Sequence, residues 1–193
     1  METSAEHRFR TLVEPYLPEI RAFAARRAPA IADDVLSEVS VVAWRRIDDL
    51  PSGNERAWLY GVARNVLLTE HRKAARRESA RSDIELSEIA DPASSQSWHP
   101  PLAEALDRLS SRDRDLLLLT AWEGLSTAEV ASVLQIRPTA ARMGLVRARR
   151  RLAAALDDLD PGWSGTALPQ HIGPTPSHRQ AAQEVPSCAD AKH

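Results

Sequence analysis

Residues 125–151 read LSTAEVASVLQIRPTAARMGLVRARRR, and the architecture of the C-terminal half turns on this stretch. Ser126 can cap a short helix, and Glu129 completes a capping box with it. Val130, Ala131, Val133 and Leu134 supply the apolar face of that helix. A turn at Gln135 to Pro138 leads into a longer helix, Thr139 to about Leu156. A short helix, a turn and a longer arginine-bearing helix follow in helix-turn-helix order, and the second helix of that motif enters a DNA major groove. Arg137 and Thr139 stand at its N-terminal end and Arg142 in the next turn, within reach of base edges or phosphate. Arg147, Arg149, Arg150 and Arg151 lie further along and suit phosphate. An ordinary antiparallel helix pair with a solvated arginine face fits the same spacing.

Working outward, Leu102 to Leu109 and Arg112 to Trp122 read as two more helices, with a Ser cap at Ser110-Ser111 and a break at Gly124. Upstream, residues 79–101 lose their apolar density and gather Pro92, Ser94, Ser95, Ser97, Pro100 and Pro101, as a linker does. Before it, a helical stretch runs from about Arg8 to Arg27, interrupted near Pro15 and Pro18. A second helix spans Ile31 to about Ile47, with Asp33 and Asp34 in the first turn. A Pro-, Ser-, Gly- and Asn-containing loop follows at Asp48–Glu55. A third helix starts near Arg56 and ends in a basic run near Arg77. Past Pro161 the chain has four further prolines and no apolar period, so a disordered tail is expected.

The 193 residues are 43% hydrophobic and 27% charged, with only 7 Gly and no strand-like alternation, so the fold class is all-α. A single cysteine, Cys188, excludes a disulfide framework within the chain, and no Cys/His spacing suits zinc. No apolar run reaches membrane-span length, which points to a cytoplasmic protein. The net charge of −2 hides a strong pattern. Residues 64–81 carry six basic side chains against two acidic ones, and residues 142–151 carry five basic and no acidic ones. Residues 78–100 carry five acidic side chains against Arg81 alone. Two basic blocks around an acidic connector predict two polyanion-binding surfaces.

The first block follows Arg56-Ala57-Trp58-Leu59-Tyr60-Gly61-Val62-Ala63-Arg64-Asn65. Trp58, Leu59, Val62 and Val66 form an apolar stripe suited to core packing. Arg64 and Asn65 lie beside it; an Asn amide can pair with a base edge and an arginine can hold an unstacked base. Arg72, Lys73, Arg76 and Arg77 give a phosphate-binding face, or a merely solvated one. The acidic cluster Asp33, Asp34 and Glu38 has no His or nucleophile placed beside it, and no Gly-rich phosphate loop occurs, so no catalytic residues and no cofactor are expected.

These motifs together resemble the extracytoplasmic-function sigma factors of bacterial RNA polymerase, over roughly residues 8–156. Asp34-Val35-Leu36-Ser37-Glu38 with Ala43-Trp44-Arg45-Arg46 is similar to the family's region 2.2, which grips the clamp helices of the polymerase β′ subunit. The resemblance implies polymerase contacts at Asp34, Leu36, Ser37, Glu38, Val41 and Arg45. Ala57 to Asn65 resembles the segment joining regions 2.3 and 2.4. By that likeness the loop from Pro51 to Arg56 and Asn65 capture a flipped base of the −10 element. Asn54, Arg56, Tyr60, Arg64, Arg72, Lys73, Arg76 and Arg77 are the accompanying −10 candidates. Leu106 to Arg114 and Ser126 to Leu152 resemble region 4, which implies −35 contacts at Arg137, Thr139, Ala140, Arg142, Met143, Arg147, Arg149 and Arg150. The implied domains are residues 8–78 (region 2), 79–101 (flexible acidic linker), 102–157 (region 4) and 158–193 (disordered tail).

The implied partners are core polymerase (β′ clamp helices and β flap), promoter DNA as −35 duplex and −10 single strand, and an anti-sigma factor, with no membrane insertion. The implied activity is promoter recognition and melting, without catalysis. A stand-alone helix-turn-helix regulator and a helical adaptor without nucleic-acid contact are the alternatives. The chain departs from the family pattern in three places. Gln135 stands at a turn usually held by Gly. Thr139-Ala140-Ala141-Arg142-Met143-Gly144 replaces a run that carries a cation near position 144, and Gly144 loosens a helix interior by about 1 kcal/mol relative to Ala. Ser37 replaces a common Gln.

Overall fold

The computed structural model describes residues 3–161 except 82–99, with the side chains of 78–81 also left aside. The expected linker and tail therefore fall largely outside the described residues. Among those residues the chain is helical and has no strand, as the composition predicts.

The N-terminal half holds α1 (Ser4–Leu12), α2 (Leu17–Arg27), α3 (Ala32–Arg45) and α4 (Glu55–Arg81). Helix α1 begins earlier than expected because Thr3 and Glu6 form a reciprocal capping box. The break near Pro15 and Pro18 is a short 3-10 turn, Glu14–Tyr16, with each proline early in its helical segment, where the missing N–H costs little. Val13, Ile20, Phe23, Val35, Val39, Leu59, Ala63 and Leu67 fill the centre of this half. Each fully buried Val, Ile, Leu or Phe contributes about 1.5–3 kcal/mol. Phe23 and Tyr60 meet edge to face, with ring centroids 5.1 Å apart.

The C-terminal half holds α5 (Pro100–Asp107), α6 (Ser111–Ala121), α7 (Thr127–Val133) and α8 (Pro138–Leu159). Ser110 caps α6 by accepting from the Asp113 amide, and Ser126 with Glu129 forms the predicted capping box on α7. Gly124 ends the α6 corner with φ +62°, a conformation that glycine adopts without strain. Helix α8 buries Ala141, Gly144, Leu145, Ala148 and Leu156 against α5, α6 and α7. Its small residues set the approach to α6: a Cβ built on Gly144 would lie 2.7 Å from Leu116 Cδ1. The glycine that costs helix propensity is thus the one that admits Leu116, which is only 1% exposed.

The two halves touch, because α4 packs against α7. Nothing in the periodicity of either helix predicts this contact. Gly61 stands where they meet, its Cβ position 3.9 Å from Val133 Cα.

Candidate nucleic-acid interface

In the C-terminal half, burying Ala141, Gly144, Leu145 and Ala148 leaves the opposite face of α8 outward. Thr139, Arg142, Met143, Val146, Arg147 and Arg150 follow helical spacing and are exposed, as are Arg137 and Arg149, while Ala140 is half-buried. Arg142, Arg147, Arg149 and Arg150 make no ion pair with any described residue. Arg151 is different: its guanidinium pairs with the buried carboxylate of Asp113 on α6 and so ties the two helices together, while most of its side chain stays exposed.

Gly144 is buried, so a cation at this position would point into the α6 contact rather than outward. The outward side chains nearest it are Met143, 58% exposed, and Val146, 40% exposed. An isolated valine among arginines reads as packing from sequence alone, but the spacing of Val146 from Arg142 and Met143 puts it on their face. Gln135 has φ +54°, the left-handed conformation that explains why a glycine suits this turn.

In the N-terminal half the candidates divide between two faces of α4. Asn65 is exposed on the α3 side, on a groove of about 630 Å³ lined also by Asp34, Glu38, Val62, Thr69 and Lys73. Arg72, Lys73, Arg76 and Arg77 continue exposed toward the C-terminal end of α4, with Lys73 bonded to Glu70 at 2.7 Å. Along α3, Asp34, Ser37, Glu38, Val41 and Arg45 are exposed on one face, whereas Leu36 is half-buried and packs against the core on the other side. Ser37 spends its hydroxyl on the Asp33 carbonyl at 2.8 Å. Trp44, 46% exposed, stacks edge-on against Phe9 at 5.6 Å.

Asn54, Arg56, Tyr60 and Arg64 lie on the other face, against the C-terminal half. The Asn54 amide donates to Ser132 Oγ at 3.0 Å. Arg64 pairs with Asp115 at 2.8 Å. Arg56 donates to the Glu123 carbonyl at 2.6 Å and to the Glu19 carboxylate at 2.8 Å. Burial alone would lower the Arg56 pKa, but the hydrogen bond and charge of Glu19 leave it raised. Tyr60 is 1% exposed, its hydroxyl 3.3 Å from Glu123 Oε2, and burial followed by Glu123 and Glu19 raises its pKa strongly.

Glu123 is the centre of this contact, and the sequence reading missed it. Its side chain is 2% exposed, and Arg26 and Arg27 of α2 both bond it, Arg27 at 3.3 Å. Burial draws the Arg27 pKa down against the pull of Glu123. A carboxylate 97 residues from Arg26 in sequence carries no local signal of the pairing. Among the described residues no group of three or more His, Cys, Asp or Glu side chains is placed to hold a metal ion.

Comparison with known proteins agrees with this arrangement in both halves. Residues 12–77 match the Sigma-70 region 2 family model, and residues 100–152 match Sigma-70, region 4. The chain is 30% identical over 146 residues to the ECF RNA polymerase sigma factor EcfG of Rhodopseudomonas palustris, a match covering 72% of this chain and 80% of that protein. It is 32% identical over 139 residues to the RNA polymerase sigma factor CnrH of Cupriavidus metallidurans, covering 65% and 73%. Its structure is similar to that of the sigma factor RpoE in complex with the anti-sigma factor NepR from Bartonella quintana. That likeness has a TM-score of 0.60 at 27% identity, over 77% of this chain and 96% of that one. Two family matches in this order, on two helical halves that each present a basic face, make the chain a member of the extracytoplasmic-function group of sigma-70 family RNA polymerase sigma factors.

Proposed function

We propose that this sigma factor directs core polymerase to its promoters by two-point capture. Region 4 docks on −35 duplex through the outward face of α8. Arg137, Thr139, Ala140, Arg142 and Met143 lie near base edges there, while Arg147, Arg149 and Arg150 hold phosphates. Region 2 then takes the melted −10 strand. Asn65 on one face of α4 and the loop from Pro51 to Arg56, with Asn54, on the other grip unstacked bases, Tyr60 and Arg64 border the loop side, and Arg72, Lys73, Arg76 and Arg77 hold the flanking backbone. The exposed face of α3 (Asp34, Ser37, Glu38, Val41, Arg45), with the half-buried Leu36 behind it, meets the polymerase.

The observation that carries this reading is the outward arginine face of α8, without an ion-pair partner among the described residues at Arg142, Arg147, Arg149 and Arg150, beside a capped α7. Sigma factors in general are initiation factors rather than enzymes, and the chemistry is left to the polymerase. Among the described residues no helix is long and apolar enough to cross a membrane, and we place the action in the cytoplasm with the polymerase. Structural relatives are held by anti-sigma factors, and a partner of that kind is proposed here as well.

The test is reconstitution. The purified chain is expected to co-elute with core polymerase and to support promoter-dependent run-off transcription. Absence of co-elution at micromolar concentration overturns the reading in favour of a stand-alone regulator.

A further inference from the structure

A buried carboxylate is costly unless it is paired, because the solvation it loses must be replaced. Asp113 and Glu123 are the buried charged residues among those described. Asp113 meets its partner, Arg151, within its own region. Every side-chain partner of Glu123 lies in region 2: Arg26, Arg27 and the Tyr60 hydroxyl. The burial of Glu123 therefore exists only while the two regions are together. Around it the same closure engages Arg56, Arg64 and Asn54, through the Glu123 carbonyl, Asp115 and Ser132. Arg26 also lies over the Trp122 ring, 5.7 Å from its centre.

From these contacts we propose that region 4 is itself the cover of region 2's upstream DNA-reading face in the chain free of polymerase, with Glu123 as the latch. The latch supplies carboxylate and carbonyl oxygens where single-stranded DNA would supply phosphate and base oxygens. Closure and DNA binding therefore compete for Asn54, Arg56, Tyr60 and Arg64, whereas Asn65 and the Arg72–Arg77 run stay outside the covered patch. A binding state that is only fractionally populated lowers apparent affinity by that fraction. Polymerase, by holding the two regions apart, would remove this penalty. Ion pairs this deeply buried are weakly screened, so modest salt leaves the latch shut. The masking half of the proposal rests on the DNA contacts proposed above; the latch itself does not.

The two are separable by experiment on the full chain. Cys188→Ser with single cysteines at the exposed positions Ser37 and Arg150 gives a donor–acceptor pair across the regions. Glu123→Gln is expected to lower energy transfer and to tighten binding of a short mixed-sequence single-stranded DNA by about fivefold or more, the open fraction having risen. Asp158→Asn, which removes one exposed acid from α8 and touches no latch residue, is expected to change neither. Gly61→Leu drives a side chain into Val133 from the opposing helix while favouring α4 itself, and is expected to lower transfer independently of Glu123. Unchanged transfer in both variants overturns the latch. Lowered transfer with DNA affinity no different from Asp158→Asn overturns the masking and, with it, the assignment of the four covered residues to DNA. Should circular dichroism show Glu123→Gln unfolded, Gly61→Leu decides.

Discussion

Arginines on α4 and on α8 were read from the same kind of basic sequence, yet the structure treats them oppositely. Arg56 and Arg64 lie on a half-buried face and hold oxygens of the other region. Arg142, Arg147, Arg149 and Arg150 stand in solvent without a described ion-pair partner. The difference arises from what lies opposite each helix. Helix α8 gives its small-residue face to α6 and presents the other outward. Helix α4 is packed on one side by α2 and α3 and on another by α7. A run of arginines therefore marks a helix that can meet polyanion, but neighbouring helices decide which of them is available.

The strongest way to break this comparison is at Gly144. If the outward face of α8 reads DNA and Gly144 faces Leu116, restoring a cation by Gly144→Lys brings no gain in promoter binding. It costs region 4 about 3 kcal/mol through overpacking and a buried ammonium, measurable by chemical denaturation. A variant that binds −35 duplex more tightly at undiminished stability would reverse the assignment. On the other region, Asn65→Ala is expected to reduce open-complex formation roughly tenfold, the scale of a lost base contact, while co-elution with core polymerase is retained. Permanganate footprinting of the melted strand measures it, and unchanged melting removes Asn65 from the reading face. Arg147→Ala should weaken duplex binding a few-fold at every sequence and reduce the salt slope by about one, as loss of a phosphate contact does. A change confined to one base position would move Arg147 to base readout. The smallest effect is expected at the turn: Gln135→Gly relieves a left-handed backbone and stabilises region 4 by about 1 kcal/mol, with DNA affinity unaltered.

Much of the local structure was legible because its causes are local. The Ser126–Glu129 box, the Ser110 cap, the proline break before α2 and the special turn at Gln135 all arise from side chains acting within about four residues. The Thr3–Glu6 box has the same form, but it precedes the apolar period that marks a helix in the sequence. The site was legible in part. Helical spacing put Arg142, Met143 and Arg147 on one face, but it could not separate Arg151, whose partner Asp113 lies on another helix.

By itself, then, the sequence determined an all-helical chain with two basic modules, because helix periodicity, caps and charge blocks are written in consecutive residues. Tertiary structure decided which cations are held by another described helix, why Gly144 must be small, and that α7 lies on α4. Glu123 shows the physical reason. Its burial is tolerable only with Arg26 and Arg27 beside it, and that neighbourhood comes into being when two distant helices pack together.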